Sequence, residues 1–132
     1  MQKIISIQFI IILVMAVPLL FAQTKKKNNK TVKSKITFVE LGSVNCIPCK
    51  MMQPVMKTIE KKYGGQVKVI FYDVWTLEQK HYAQKYGIRL IPTQVFLDAA
   101  GKEFHRHEGF YPEEEINKIL ESKGLKSNNK EE

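Results

Sequence analysis

Cysteine is scarce in this 132-residue chain, which has two, at positions 46 and 49. Cysteines three positions apart close a loop too short to staple a fold, so a small disulfide-built scaffold is excluded. A structural zinc site would need further ligands from elsewhere in the chain. Acid is absent from residues 1–35, which carry seven Lys and so a net +7. Net charge is then missing from residues 36–121, where nine Lys and two Arg balance eleven Asp and Glu. Residues 122–132 add three Lys against two Glu, so the overall +8 belongs to the ends of the chain. A nucleic-acid-binding domain carries its basic residues on the folded surface, and that reading is set aside. No internal repeat is visible. The 44% hydrophobic content and the length suit one domain with a packed core.

The one long apolar run lies at the start. Residues 1–22 (MQKIISIQFIIILVMAVPLLFA) place Lys3 before an apolar stretch from Phe9 to Val17, followed by Pro18 and a short segment ending at Ala22. This is the layout of a signal peptide, with cleavage expected after Ala22, although Leu20 is larger than the small residue favoured there. No cysteine lies near the cut, so a lipid anchor is not expected. The alternative is an uncleaved membrane anchor over Ile4–Ala22, near the minimum length for crossing a bilayer and weakened by Ser6, Gln8 and Pro18. Residues 23–35 are polar and Lys-rich and read as a flexible basic arm, a solvated spacer before the domain. The domain is expected over 36–123, with a disordered tail over 124–132.

Ile36–Leu41 is rich in β-formers and reads as a buried strand ending at Gly42. Met52, Val55, Met56, Ile59 and Tyr63 recur at the spacing of one helical face, and Gly64-Gly65 ends that helix. Pro54 inside it removes one hydrogen bond and is expected to kink it. Val67–Val74 reads as a second strand and Leu77–Tyr86 as a helix. Gln94–Leu97 and Glu103–His107 are short strands joined by the turn-rich Asp98–Lys102 segment. Pro112, in the first helical position, and the three Glu after it suit the start of a last helix, whose apolar face is Ile116, Ile119 and Leu120. The order β-α-β-α-β-β-α places the first two strands in parallel and the last two in an antiparallel hairpin.

Cys46-Ile47-Pro48-Cys49 therefore opens a helix directly after a buried strand. The first cysteine of such a motif meets unpaired backbone N–H groups and the positive helix end, which favour thiolate over thiol. The thiolate is the attacking species in disulfide exchange. Cys46 is the candidate nucleophile, on an exposed helix end. Cys49, one turn on and shielded, is the candidate resolving thiol.

These residues, with Lys50, Pro54, the stretch Tyr86-Gly87-Ile88-Arg89-Leu90-Ile91-Pro92-Thr93, the Asp98–Lys102 hairpin and the last helix, resemble the thioredoxin family over about residues 36–121. The resemblance implies an α/β fold with a central mixed sheet of four strands, or five if Thr31–Lys33 adds an edge. It implies a cis Pro92 facing the disulfide, with the Ile91 backbone pairing with a substrate chain that also meets Ile47 and Pro48. It implies that Glu40, six residues before Cys46, is a buried acid that takes the proton of Cys49. A buried carboxyl has a raised pKa and suits that role. The sequence departs from the family in three places. Asn45 replaces the aromatic residue before the first cysteine, Ile47 stands where Gly is usual, and Phe71 stands where a lysine commonly neighbours the acid.

The resemblance implies a thiol–disulfide oxidoreductase acting on protein disulfides with no cofactor beyond the Cys46–Cys49 disulfide; the N-terminal segment implies export, and a monomer is expected. Strong oxidants of this superfamily carry a His between the cysteines; Ile47-Pro48 looks more like the reducing branch, which draws electrons from a membrane thiol carrier. The alternatives are an oxidase or isomerase and a soft-metal carrier. Cys46, Cys49 and Met51 are ligand types suited to Cu(I). His105 and His107 share one side of a strand, and His81 lies elsewhere.

Overall fold

The computed structural model describes residues 34–128. The expected signal segment, nearly all of the basic arm, the optional edge strand at Thr31–Lys33 and residues 129–132 lie outside the described residues. The elements run β1 (Ile36–Gly42), α1 (Ile47–Tyr63), a short 3-10 turn (Gly64–Gln66), β2 (Val67–Asp73), α2 (His81–Lys85), β3 (Thr93–Asp98), β4 (Glu103–Glu108) and α3 (Glu113–Ser122). They build one four-stranded mixed sheet in the order β2-β1-β3-β4. β1 pairs parallel with β2 and antiparallel with β3, and β3 and β4 form the antiparallel hairpin.

β1 reads as a continuous apolar run because both of its faces are covered. On one face Phe38 packs with Met52, Met56, Ile59 and Tyr63 of α1 and with Ile116 and Leu120 of α3. On the other, Val39 and Leu41 pack with Val95 and with Tyr72, Tyr82 and Tyr86. Phe38 stacks on Phe96 across the β1–β3 pair, ring centres 4.8 Å apart. The alternation that turns Phe38 toward α1 turns Glu40 and Gly42 the same way, which fixes the floor of the site.

Beyond one-residue shifts at strand ends, three parts of the sequence reading are corrected. The helix expected over Leu77–Tyr86 is confined to His81–Lys85, with turns before it. Side chains compete for the backbone there: the Thr76 hydroxyl donates to Asp73 O at 2.9 Å, and Asp73 N–H donates to Gln79 Oε1 at 2.7 Å. Pro112 is the residue before α3 rather than its first helical residue, with extended backbone angles of −60° and 145°. The disordered tail expected from residue 124 is corrected for 124–128: Leu125 is buried in the core beside Leu120, and Asn128 N–H donates to Lys62 O at 2.7 Å. A single leucine after a glycine gives no periodic signal, so only packing against α1 and α3 reveals it.

Candidate active site

Cys46 caps α1. Its backbone is extended (φ −94°, ψ 125°), and its Sγ accepts the Cys49 N–H at 3.4 Å, as a capping oxygen would elsewhere. Lys50 N–H donates to Cys46 O at 3.0 Å, and Cys46 N–H to Ser43 O at 3.2 Å. The sulfur thus sits among the N–H groups of the first turn, where negative charge is favoured. Cys46 and Cys49 are joined in a disulfide, Cα atoms 5.2 Å apart. Cys49 is fully buried and Cys46 only 8% exposed. The exposed Cys46 expected from the motif is therefore corrected: the disulfide and the cap fold its sulfur back onto the helix. The outward surface here belongs to Ile47, 75% exposed, and to Pro48.

Glu40 is fully buried on the sheet face under α1. Burial pushes its carboxyl up to about 8, only partly opposed by the Gln94 amide. Its cross-strand partners are Phe71 on β2 and Gln94 on β3, so the position of the missing lysine is apolar, as the sequence implied. Gly42, two residues along on the same face, touches the second cysteine. A Cβ on Gly42 would lie 3.2 Å from both Cys49 Cβ and Sγ and 3.3 Å from Phe71. The sequence marked Gly42 only as a strand end, whereas the structure makes it the platform on which Cys49 rests. Gly42→Ala is expected to cost about 1–3 kcal/mol in urea unfolding, as small-to-large changes in packed sites do. It is also expected to slow disulfide closure by Cys49 more than the first attack by Cys46, measured by stopped-flow release of client thiol.

Pro92 enters the site through topology. Leu41, at the end of β1, pairs with Thr93 at the start of β3, so the loop after β1 and the loop before β3 emerge at the same end of the sheet. The Ile91–Pro92 bond is cis, as the resemblance implied. Pro92 is buried, and its carbonyl accepts the Gly109 N–H at 2.7 Å; the Thr93 hydroxyl holds Leu90 O at 2.7 Å.

Two contributors escaped the sequence reading. Asp73, 8% exposed, accepts Val44 N–H at 3.2 Å with one oxygen and Trp75 N–H at 3.1 Å with the other, tying the loop before Cys46 to the loop after β2. An Asp closing a strand before a turn is the signal that could have found it. Trp75, 62% exposed, lines a shallow recess with Val74, Ala83, Ile88, Leu90 and Ile91. An aromatic residue thus borders Ile91 although position 45 is Asn.

Two of the other metal-ligand candidates, His105 and His107, are engaged elsewhere. His105 Nε2 lies 3.0 Å from the Tyr111 hydroxyl, and His107 stacks on the Tyr111 ring with Nε2 3.1 Å from Phe110 O. Among the described residues no three His, Cys, Asp or Glu side chains gather as a metal site.

The geometry finds its counterpart in known proteins. A family model for a thioredoxin-like domain matches residues 21–124. A thioredoxin of Staphylococcus aureus is 33% identical over 91 residues, covering 68% of this chain and 84% of that protein. The chloroplastic thioredoxin M4 of Arabidopsis thaliana is 34% identical over 83 residues, covering 63% of this chain and 42% of that longer protein. The crystal structure of a thioredoxin from Nicotiana alata superposes with a TM-score of 0.58 at 32% identity, covering 71% of this chain and 78% of that one. Members of this family work through a redox-active disulfide without a cofactor, and the Cys46–Cys49 pair supports a thiol–disulfide oxidoreductase. By its family model, its relatives and its fold, the chain belongs to the thioredoxin family.

Proposed function

We propose that the protein is an exported thiol–disulfide oxidoreductase that reduces protein disulfides through Cys46 and Cys49. The observation that carries the reading is the capping geometry, in which Cys46 Sγ accepts the Cys49 N–H beside a pair, Ile47-Pro48, that brings no charge between the thiols. In the reduced protein the Cys46 thiolate attacks one sulfur of a client disulfide and expels the other as a thiolate. Cys49 then gives its proton to the Glu40 carboxylate and attacks the Cys46 sulfur of the mixed disulfide. The second client thiolate leaves, and the client has gained the two electrons of the dithiol. The oxidised pair described above remains, and a membrane thiol carrier restores it. The apolar surface of Ile47, Pro48, Trp75 and Leu90 receives the client chain, whose backbone lies along Ile91 beside Pro92. The chain acts as a monomer.

The direction of exchange is tested by the reduction potential of the Cys46–Cys49 pair, equilibrated against glutathione. The reductant reading expects a value near the about −270 mV of thioredoxins; a value near the about −120 mV of strong disulfide-forming oxidants would assign the oxidase role instead. Retention of Cu(I) by the reduced protein against a modest chelator would favour the metal carrier. Export is supported by the Lys3, apolar run and Ala22 layout of the first 22 residues. N-terminal sequencing of protein recovered from the cell envelope is expected to start near Gln23; intact Met1 in the membrane fraction would mean an uncleaved anchor, and intact Met1 in the soluble cytoplasm would refute export.

A further inference from the structure

Glu40 and Gln94 stand directly opposite each other where β1 pairs with β3, on the face under α1, and both are fully buried. Among the described residues three buried side-chain oxygens or nitrogens lack a hydrogen-bond partner: Glu40 Oε1, Glu40 Oε2 and Gln94 Oε1. All three belong to this one pair. The Gln94 amide is also anchored, since its Nε2 donates to Gly109 O at 3.0 Å. One amide N–H is thereby used, and the other N–H and Oε1 remain for Glu40. Directly opposite residues on one sheet face carry Cβ atoms about 4.5–5.5 Å apart, within reach of two such side chains.

We propose that Gln94 is a positioning residue for the proton transfer at Glu40, its amide serving as a donor to the ionised carboxyl and an acceptor from the protonated one. The inference rests on Glu40 receiving the proton of Cys49, and it names what lets a buried acid take that proton with no cation beside it. Phe71 flanks Glu40 from β2, and Glu40 forms no ion pair among the described residues. Three titratable groups on the packed elements lie near this pair along the sheet and α1, and each is accounted for. Cys49 of α1 is the proton donor. The Asp73 carboxylate at the end of β2 is occupied by Val44 and Trp75 N–H groups. His107 of β4, next in register beyond Gln94, is turned to Phe110 O and Tyr111. The Gln94 amide acts in the direction required, favouring the carboxylate against the burial that opposes it.

The test follows the resolving step in the full chain across pH, by stopped-flow release of the second client thiol from a preformed mixed disulfide on Cys46. In the natural protein this rate is expected to rise along a limb set by Glu40, and Glu40→Gln is expected to abolish the limb. Gln94→Met keeps bulk and removes the amide; its limb is expected to move up by about one pH unit, making the step about tenfold slower at pH 7 with recovery at high pH. A merely structural role would lower the rate at every pH and leave the limb in place, and that result overturns the proposal. If Glu40→Gln keeps the limb, the Glu40 reading falls and takes this one with it. A measurement without any substitution guards against misfolding: the Gln94 side-chain NH2 resonances are expected to titrate with the Glu40 midpoint. Resonances that stay fixed through that midpoint would overturn the proposal as well.

Discussion

Cys49→Ser is expected to accumulate a covalent adduct with a protein client, linked through Cys46 and released by dithiothreitol, while Cys46→Ser forms no adduct and loses all measurable turnover. The asymmetry follows from the geometry. The Cys46 sulfur lies in the first turn of α1 and accepts a backbone N–H, which favours the attacking thiolate. Cys49 is fully buried against Gly42, so it is shielded from the client and attacks only the neighbouring Cys46 sulfur once the mixed disulfide has formed. Without Cys49 that intermediate has no resolving thiol and persists. Non-reducing gels and intact-mass spectrometry, with a disulfide-bonded client and reduced protein, read both outcomes. Reversed roles, with adducts on Cys49 in the Cys46→Ser protein, would overturn the assignment. A pair of variants that both keep full exchange activity would remove the dithiol mechanism altogether.

The largest expected effect on stability belongs to Glu40. Burial raises its carboxyl from 4.5 to about 8, so between those values the folded chain keeps a proton that the unfolded chain has released. The unfolded state then binds fewer protons than the native state, and folding stability falls as pH rises. The contribution is intact below pH 4.5 and lost as pH climbs through about 8. Glu40→Gln removes the titration, so the variant is expected to gain on the natural protein as pH rises. The gain, measured by urea unfolding of the oxidised proteins at pH 4, 7 and 9, is expected to reach on the order of 5 kcal/mol at the alkaline end. Taking the difference between the two proteins cancels the other titrating groups, Glu103 among them. A difference that stays flat with pH would mean that Glu40 ionises in the folded protein much as it does in the unfolded one.

This liability sits in the central strand pair, on the face that carries Phe38 and Phe96. An acid held there at such a cost suits the proposed proton transfer, because burial raises its carboxyl to about 8, where it can hold a proton at neutral pH.

Local pattern was enough for much of this protein. The β-rich run before Gly42, the helical spacing from Met52 to Tyr63 and the turn at Asp98–Lys102 each specify an element within a few residues, because the 3.6- and 2-residue periods of burial are written in neighbouring side chains. The Cys46–Cys49 motif was legible for the same reason: a cap, a proline and two thiols within one turn are a local arrangement. The split of charge along the chain is sequence arithmetic and needed no coordinates. Tertiary structure decided the rest. Gly42 lies seven residues from Cys49 in sequence, yet the turn back into α1 places that sulfur on it. Asp73 and Trp75 reach the site because β2 runs parallel to β1 and ends at the same edge. Leu125 is core only because α1 and α3 leave it a place. Gln94 carries no signal in sequence, where it is one polar residue in a short strand; it gains meaning from the antiparallel register that sets it opposite Glu40, 54 residues earlier. Spacing along the chain determines what each segment becomes, while pairing between distant segments determines which buried groups stand side by side.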